Sequence, residues 1–286
     1  MATFYNQATL RYNNTVTTSN VASGELVEVL AVTKTAVRDT YQVGEDVTYV
    51  VSILNSGTAP FNGLTVTDDL GAYTVGTATV TPLTYAEGSV QYFVDGVLQP
   101  APAVVAGPPL QISGISVPAG GNAILLYEAQ VNAFASPVVG GTVDNTVTVS
   151  GLGVTPVTAT ETVTARQEAQ LTVNKAITPA VVTDNSRVTY VLTLQNTGNT
   201  AVIATDDAVI TDTFDPILTD LVVTFNGTAL TAGTDYTYDE TTGAFATLPG
   251  VITVPAAAYV QDPVTGEWTV TPGSSTLTIV GTIYPQ

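Results

Sequence analysis

Apolar and polar residues alternate along most of this chain with a period of two. Val47-Thr48-Tyr49-Val50-Val51-Ser52-Ile53 and Leu64-Thr65-Val66-Thr67-Asp68 are clear cases. Such alternation sends successive side chains to opposite faces of a strand. The runs end at Gly, Pro, Asn and Asp, and no stretch sustains the i, i+3, i+4 spacing of an amphipathic helix. Thr and Val are abundant, and β-branched side chains pack well on a pleated surface. Asp95-Gly96 and Asn226-Gly227 predict two-residue hairpin turns. The pattern predicts an all-β chain of two tandem Ig-like β-sandwich domains, preceded by an N-terminal β-hairpin.

The domains emerge as an internal repeat. Lys34 precedes Val47-Thr48-Tyr49 by the same interval that separates Lys175 from Val188-Thr189-Tyr190, since 47 − 34 = 188 − 175. The register continues to Asn55-Ser56-Gly57 and Asn196-Thr197-Gly198, and Val66-Thr67-Asp68 matches Ile210-Thr211-Asp212. Strand Ile124–Val131 matches Thr276–Ile283. The predicted organisation is a hairpin and linker at 1–29, a first sandwich at 30–167 and a second at 168–286. The second carries an extra hairpin, Tyr259–Thr271. The first domain closes with Asn145–Val163, which turns at Gly151-Leu152-Gly153 and has no counterpart after Ile283. Its counterpart stands before the first domain, where Asn6-Gln7-Ala8-Thr9-Leu10 resembles Asn145-Thr146-Val147-Thr148-Val149.

Charge and composition narrow the function. The 286 residues carry 6 Lys plus Arg against 24 Asp plus Glu, a net charge of −18. That sign opposes binding to nucleic acid or to an anionic membrane surface, both of which call for clustered cations. Cys and His are absent. Disulfides, Cys/His zinc sites, Cys nucleophiles and His-based triads are therefore excluded. No apolar run is long enough for a transmembrane helix, and the first residues lack the basic and apolar regions of a secretory signal. The expectation is a non-enzymatic protein with no cofactor and no resident metal. Asp206-Asp207, Asp235, Asp239-Glu240 and Asp262 read as solvated acidic loops, since they lack EF-hand spacing for Ca²⁺. Paired carboxylates of a glycosidase and a sugar site around Trp268 lack any second supporting feature.

Val32-Thr33-Lys34, Val47-Thr48-Tyr49, Asn55-Ser56-Gly57, Val66-Thr67-Asp68 and Asp144-Asn145-Thr146-Val147-Thr148-Val149, with their second-domain equivalents, resemble a repeat family known as domain of unknown function eleven. That family occurs in tandem on bacterial and archaeal surface proteins. The resemblance implies a β-sandwich and a structural role at a cell surface or outside the cell; the lack of a secretory signal adds release from a mother cell, hence a spore surface, or a leader lost in processing. It brings no enzymatic activity.

A sandwich without its closing hairpin exposes a strand edge and an apolar groove. Addition of a strand from another segment fills such a gap. The expected partner is the chain itself, in a head-to-tail homopolymer, with no nucleic acid and no membrane insertion. Tyr5, Asn6, Ala8, Leu10 and Val16 are the expected donor residues, and Leu277, Ile279 and Ile283 the expected acceptor strand. A fold-back of the hairpin onto its own chain, or a loose tail, is the competing arrangement. The competing function is a stalk or adhesin that binds a ligand through the second domain.

Lys34 and Lys175 are the only lysines, and they occupy equivalent positions. Each sits on an apolar strand, where burial lowers an amine's pKa and leaves a nucleophile. With an Asn carboxamide and an Asp to move protons, such a lysine supports a Lys–Asn isopeptide bond with loss of ammonia. This is the chemistry of the Gram-positive pilins and adhesins that the predicted fold resembles in outline. The candidate sets are Lys34, Asn145 and Asp68 within the first domain, and Lys175, Asp212 and an incoming Asn6 in the second. A plain Lys–Asp ion pair is the simpler alternative at both places.

Overall fold

The computed structural model describes residues 2–26, 29–151 and 154–284. Leu152 and Gly153 of the predicted turn, and part of the linker ahead of Leu30, lie outside the described residues. The chain begins with a long hairpin. Strands β1 (Ala2–Asn6), β2 (Thr9–Tyr12), β3 (Thr15–Thr18) and β4 (Ala22–Leu26) pair as β1 with β4 and β2 with β3. Asn13 and Asn14 make the turn with φ of 42° and 63°, a conformation that Asn tolerates better than most residues. Among the described residues the hairpin strands pair only with one another.

The chain divides into two compact units. The first holds Met1–Tyr73, Thr81–Asn132 and Val143–Val163, and the second holds Thr74–Val80, Ala133–Thr142 and Thr164–Gln286. Thr74–Val80 and Ala133–Thr142 thus group with the second unit although they lie within the first repeat in sequence.

The first unit is built from β5 (Leu30–Ala36), β6 (Asp46–Asn55), β7 (Phe61–Asp68), β8 (Leu110–Val117), β9 (Asn122–Val131), β10 (Thr142–Gly151) and β11 (Val154–Ala165), with several shorter strands. One sheet runs Val97–Leu98, Gln91–Val94, β9, β6, β5. The other runs Ala103–Val105, β8, β7, β10, β11, Thr40–Tyr41. The period-two pattern decides what is buried. Along β6, Val47, Tyr49, Val51 and Ile53 face inward and are buried, while the residues between them are partly exposed. Leu64, Val66, Ile112, Leu125, Val147 and Val149 complete the interior. The Asp95-Gly96 turn takes positive φ at both residues, 47° and 80°, as its sequence predicts.

The second unit uses β12 (Leu171–Thr178), β13 (Arg187–Asn196), β14 (Thr211–Thr213), β15 (Leu218–Phe225), β16 (Ala244–Thr247) and β17 (Gly273–Ile283). One sheet runs β12, β13, β17, β15, Thr228–Ala229. The other is short and runs β14, β16, Tyr236–Tyr238. Phe214 anchors the interior, with ring centroids of Tyr190 at 5.1 Å and of Phe245 at 6.1 Å. The extra hairpin is present, pairing Ala258–Gln261 with Trp268–Thr271.

The units differ in the neighbours of one strand. In the first, β7 is flanked by β8 and β10. Its equivalent in the second, β14, has β16 on one side and, among the described residues, no strand on the other.

Candidate strand-acceptor groove and lysine centres

Lys34 sits on β5 with a fully buried side chain. Its Nζ donates to Asp68 Oδ2 at 2.7 Å, and Asp68 lies at the end of β7 in the opposite sheet. Asp68 also accepts a short hydrogen bond from the Tyr127 hydroxyl, while its Oδ1 takes the Leu70 N–H at 2.7 Å. The carboxylate is thereby fixed from three directions. The Lys34 ammonium lies 4.6 Å from the Tyr49 ring centroid and 5.9 Å from that of Tyr127. Burial lowers the Lys34 pKa from 10.5, while Asp68 opposes the fall. Burial pushes both phenols well above their ordinary value, and the Asn145 carboxamide opposes the rise at each.

Asn145 is completely buried on β10, and neither polar atom of its carboxamide makes a hydrogen bond of normal geometry. Its neighbour Thr146 is pinned by Asp69, whose carboxylate accepts the Thr146 N–H at 2.9 Å. Lys34, Asp68 and Asn145 thus gather around Tyr49 and Tyr127. A buried amide with both valences unpaired costs about 1–3 kcal/mol per group, so this position calls for an explanation. Amine, carboxamide and carboxyl are the groups that a Lys–Asn amide exchange uses: such an exchange forms a bond from amine nitrogen to carboxamide carbon, breaks the C–NH₂ bond and releases ammonia, with a carboxyl moving the proton.

The second unit holds part of the same arrangement. Lys175 on β12 makes a short ion pair with Asp212 Oδ2 and lies 4.7 Å from the Tyr190 centroid. Here, however, the lysine side chain is 39% exposed where that of Lys34 is 0%. The apolar strand that led to the expectation of a buried amine is present, but the cover over it is not. The whole of β12 is exposed, and Leu171 stands at 50% where its counterpart Leu30 stands at 8%. Ile279 replaces Tyr127 in the repeat register, so the second centre has one phenol rather than two.

The exposed residues line a groove of about 450 Å³ bounded by Leu171, Val173, Lys175, Leu192, Ile210 and Asp212 among others. In the first unit Val147 and Val149 of β10 are fully buried and belong to the strand that closes the sandwich. Among the described residues no strand of the second unit occupies the corresponding place beside this groove.

The hairpin presents the complementary chemistry. Tyr5, Asn6, Ala8, Leu10 and Val16 are all exposed, as are Phe4 and Tyr12, with Tyr5 at 71% and Leu10 at 65%. Two-stranded hairpins are marginal in water without a surface to pack on. Such a row of exposed aromatic and aliphatic side chains is a candidate contact surface.

One expectation is corrected. Leu277, Ile279 and Ile283 do not form an acceptor edge. Their strand, β17, is paired on one side with β13 and on the other with β15, and all three side chains are buried. The closing strand of the first unit pairs with β7, not with β9, the counterpart of β17. The edge that corresponds to it in the second unit is that of β14, which among the described residues pairs with β16 alone. Sequence reasoning also passed over Tyr127, whose place in the first centre arises from a contact across the sandwich.

Among the described residues no group of three or more Asp and Glu is placed to hold a metal ion. The acidic loops use their carboxylates locally. Asp239 accepts from Thr241 and Thr242, which hold its pKa down to about 2. Asp262 accepts the amides of Val264 and Thr265. Among the described residues no helix is long and apolar enough to cross a membrane.

No protein-family model matches the chain, and no curated protein sequence matches it. Solved structures do. The C-terminal domain of the antigen I/II-family protein AspA of Streptococcus pyogenes is 11% identical, with 90% of this chain and 92% of that one covered and a TM-score of 0.37. BcpA, the major pilin subunit of Bacillus cereus, is 12% identical over 95% of this chain and 73% of that one, with a TM-score of 0.36. The pilus backbone RrgB of Streptococcus pneumoniae is 13% identical over 85% and 55%, with a TM-score of 0.34.

Proposed function

We propose that this chain is the structural subunit of a self-polymerising filament outside the cell, at a cell surface or spore surface. The hairpin of one copy occupies the groove in the second unit of the next and pairs with the free edge of β14. The contact is head-to-tail and does not close on itself, which builds a fibre. Main-chain hydrogen bonds supply affinity, and alternate side chains set register. The observation that carries this reading is the unpaired edge of β14 beside a groove whose counterpart positions in the first unit are buried.

In the same reading two amide bonds lock the fibre. Lys34 joins Asn145 within the first unit, with Asp68 as proton relay. Lys175 joins Asn6 of the incoming hairpin, with Asp212 in the relay role. The second bond requires the hairpin twice, for the carboxamide and for the cover that takes Lys175 out of water.

The test is the native size distribution of the full chain beside a version lacking residues 1–22, by light scattering after size exclusion. Long polymers from the full chain and a monomeric truncation support the proposal. Two monomeric species overturn it. Each bond formed removes about 17 Da, one ammonia, from the mass.

A further inference from the structure

The register of the intersubunit joint can be carried over from the first unit. There Val147 lies opposite Asp68, Val149 opposite Val66 and Ser150 opposite Thr65. The repeat equates Asn6 with Asn145 and Asp212 with Asp68. Ala8 then falls opposite Asp212, Leu10 opposite Ile210 and Arg11 opposite Val209. Leu10 takes the inward place of the buried Val149, and Arg11 takes the outward place of the half-buried Ser150.

Arg11 is the only charged side chain in residues 1–24. The donor segment is therefore +1, and the rest of the chain carries −18 − 1 = −19. Two residues before Val209 stands Asp207, which ends the 3-10 turn Ala204–Asp206 with a φ of 52° and adjoins the groove residues Ala208 and Val209. Asp207 is exposed, and among the described residues its carboxylate has no hydrogen bond or ion pair. Its neighbour Asp206 is engaged, accepting the Ile203 N–H at 2.9 Å. In the first unit the same two places hold Ser150 and Gly63. The pair is neutral where the closing strand belongs to its own domain, and it is Arg and Asp where the strand arrives from another molecule.

Resting on the filament reading above, we propose that Arg11 of the donor hairpin pairs with Asp207 of the acceptor, and that this pair steers the hairpin into the groove and fixes its register. A single cation on the donor facing an acidic body accelerates the productive encounter, while two bodies of like charge repel.

The experiment follows assembly of the full chain by light scattering, in wild type, Arg11→Glu, Asp207→Arg and the double exchange. At low salt Arg11→Glu assembles about tenfold more slowly than wild type, as expected for loss of steering. The double exchange recovers to within about threefold of wild type, since an exchanged pair retains most of its attraction. The gap between wild type and Arg11→Glu closes to about twofold near 1 M salt, where the screening length falls to about 3 Å. A double exchange no faster than Arg11→Glu, or a deficit that persists at high salt, overturns the Arg11–Asp207 pair and leaves strand donation standing. A wild-type chain that never assembles overturns both.

Discussion

Replacing Asn145 by alanine separates a covalent centre from a merely polar one, because only the covalent centre predicts a fall in Tm. Suppose Lys34 and Asn145 are joined. The bond then closes a loop of 145 − 34 = 111 residues. Cross-linking a loop of roughly 100 residues removes about 4.7 kcal/mol of chain entropy from the unfolded state. For a unit of this size each kcal/mol shifts the midpoint by about 3–4 °C, so Asn145→Ala lowers Tm by roughly 15–20 °C. Suppose instead that no bond forms. The substitution then deletes a buried carboxamide with no hydrogen bond, and relief of about 1–3 kcal/mol offsets the loss of packing. Tm then holds or rises. Calorimetry on both proteins, with intact mass on the same samples, measures the sign directly. A wild-type mass equal to the sequence mass, together with a Tm that does not fall in Asn145→Ala, refutes the Lys34–Asn145 bond.

Other outcomes follow from the same geometry. Asn6→Ala leaves the apolar donor residues intact, so polymers still form, but they dissociate in hot detergent where wild-type polymers persist as a ladder on a denaturing gel. Leu10→Asp sends a carboxylate to the inward position of the groove; an unpaired buried charge costs several kcal/mol, and light scattering shows monomer at concentrations where wild type polymerises. The Asn145→Ala protein keeps the Lys34 amine, whose folded pKa is depressed by burial below 10.5. Between that depressed value and 10.5 the unfolded chain binds more protons, so stability rises with pH. Denaturant titrations in the alkaline range show a slope with pH that is more positive in Asn145→Ala than in the bonded wild type, since the tyrosines contribute to both proteins alike and the free Lys34 amine only to the first.

Much of the fold was legible because a period of two and a shared register are local properties. The Asp95-Gly96 and Asn226-Gly227 turns follow from residues that accept positive φ. Both Lys–Asp pairings follow from the repeat, since Lys34 and Lys175 stand at equal intervals from the same strand motif. The acceptor edge was not legible. Leu277, Ile279 and Ile283 end the repeat in sequence, yet a sandwich does not pair strands in chain order, and the closing strand returns to β7. The exposure of Lys175 escaped for a related reason. Leu171–Thr178 reads like Leu30–Ala36, and what differs is the cover, which no residue of either strand encodes.

In the proposed filament, the free edge of β14 also has a kinetic consequence. A copy that joins through it fills one edge and brings another identical edge of its own. Every elongation step therefore buries the same surface and leaves the same surface behind, whatever the number of subunits already joined. Growth of that kind is isodesmic: it has no critical nucleus and no lag, and until the amide bonds close it gives an exponential spread of lengths whose mean rises smoothly with concentration.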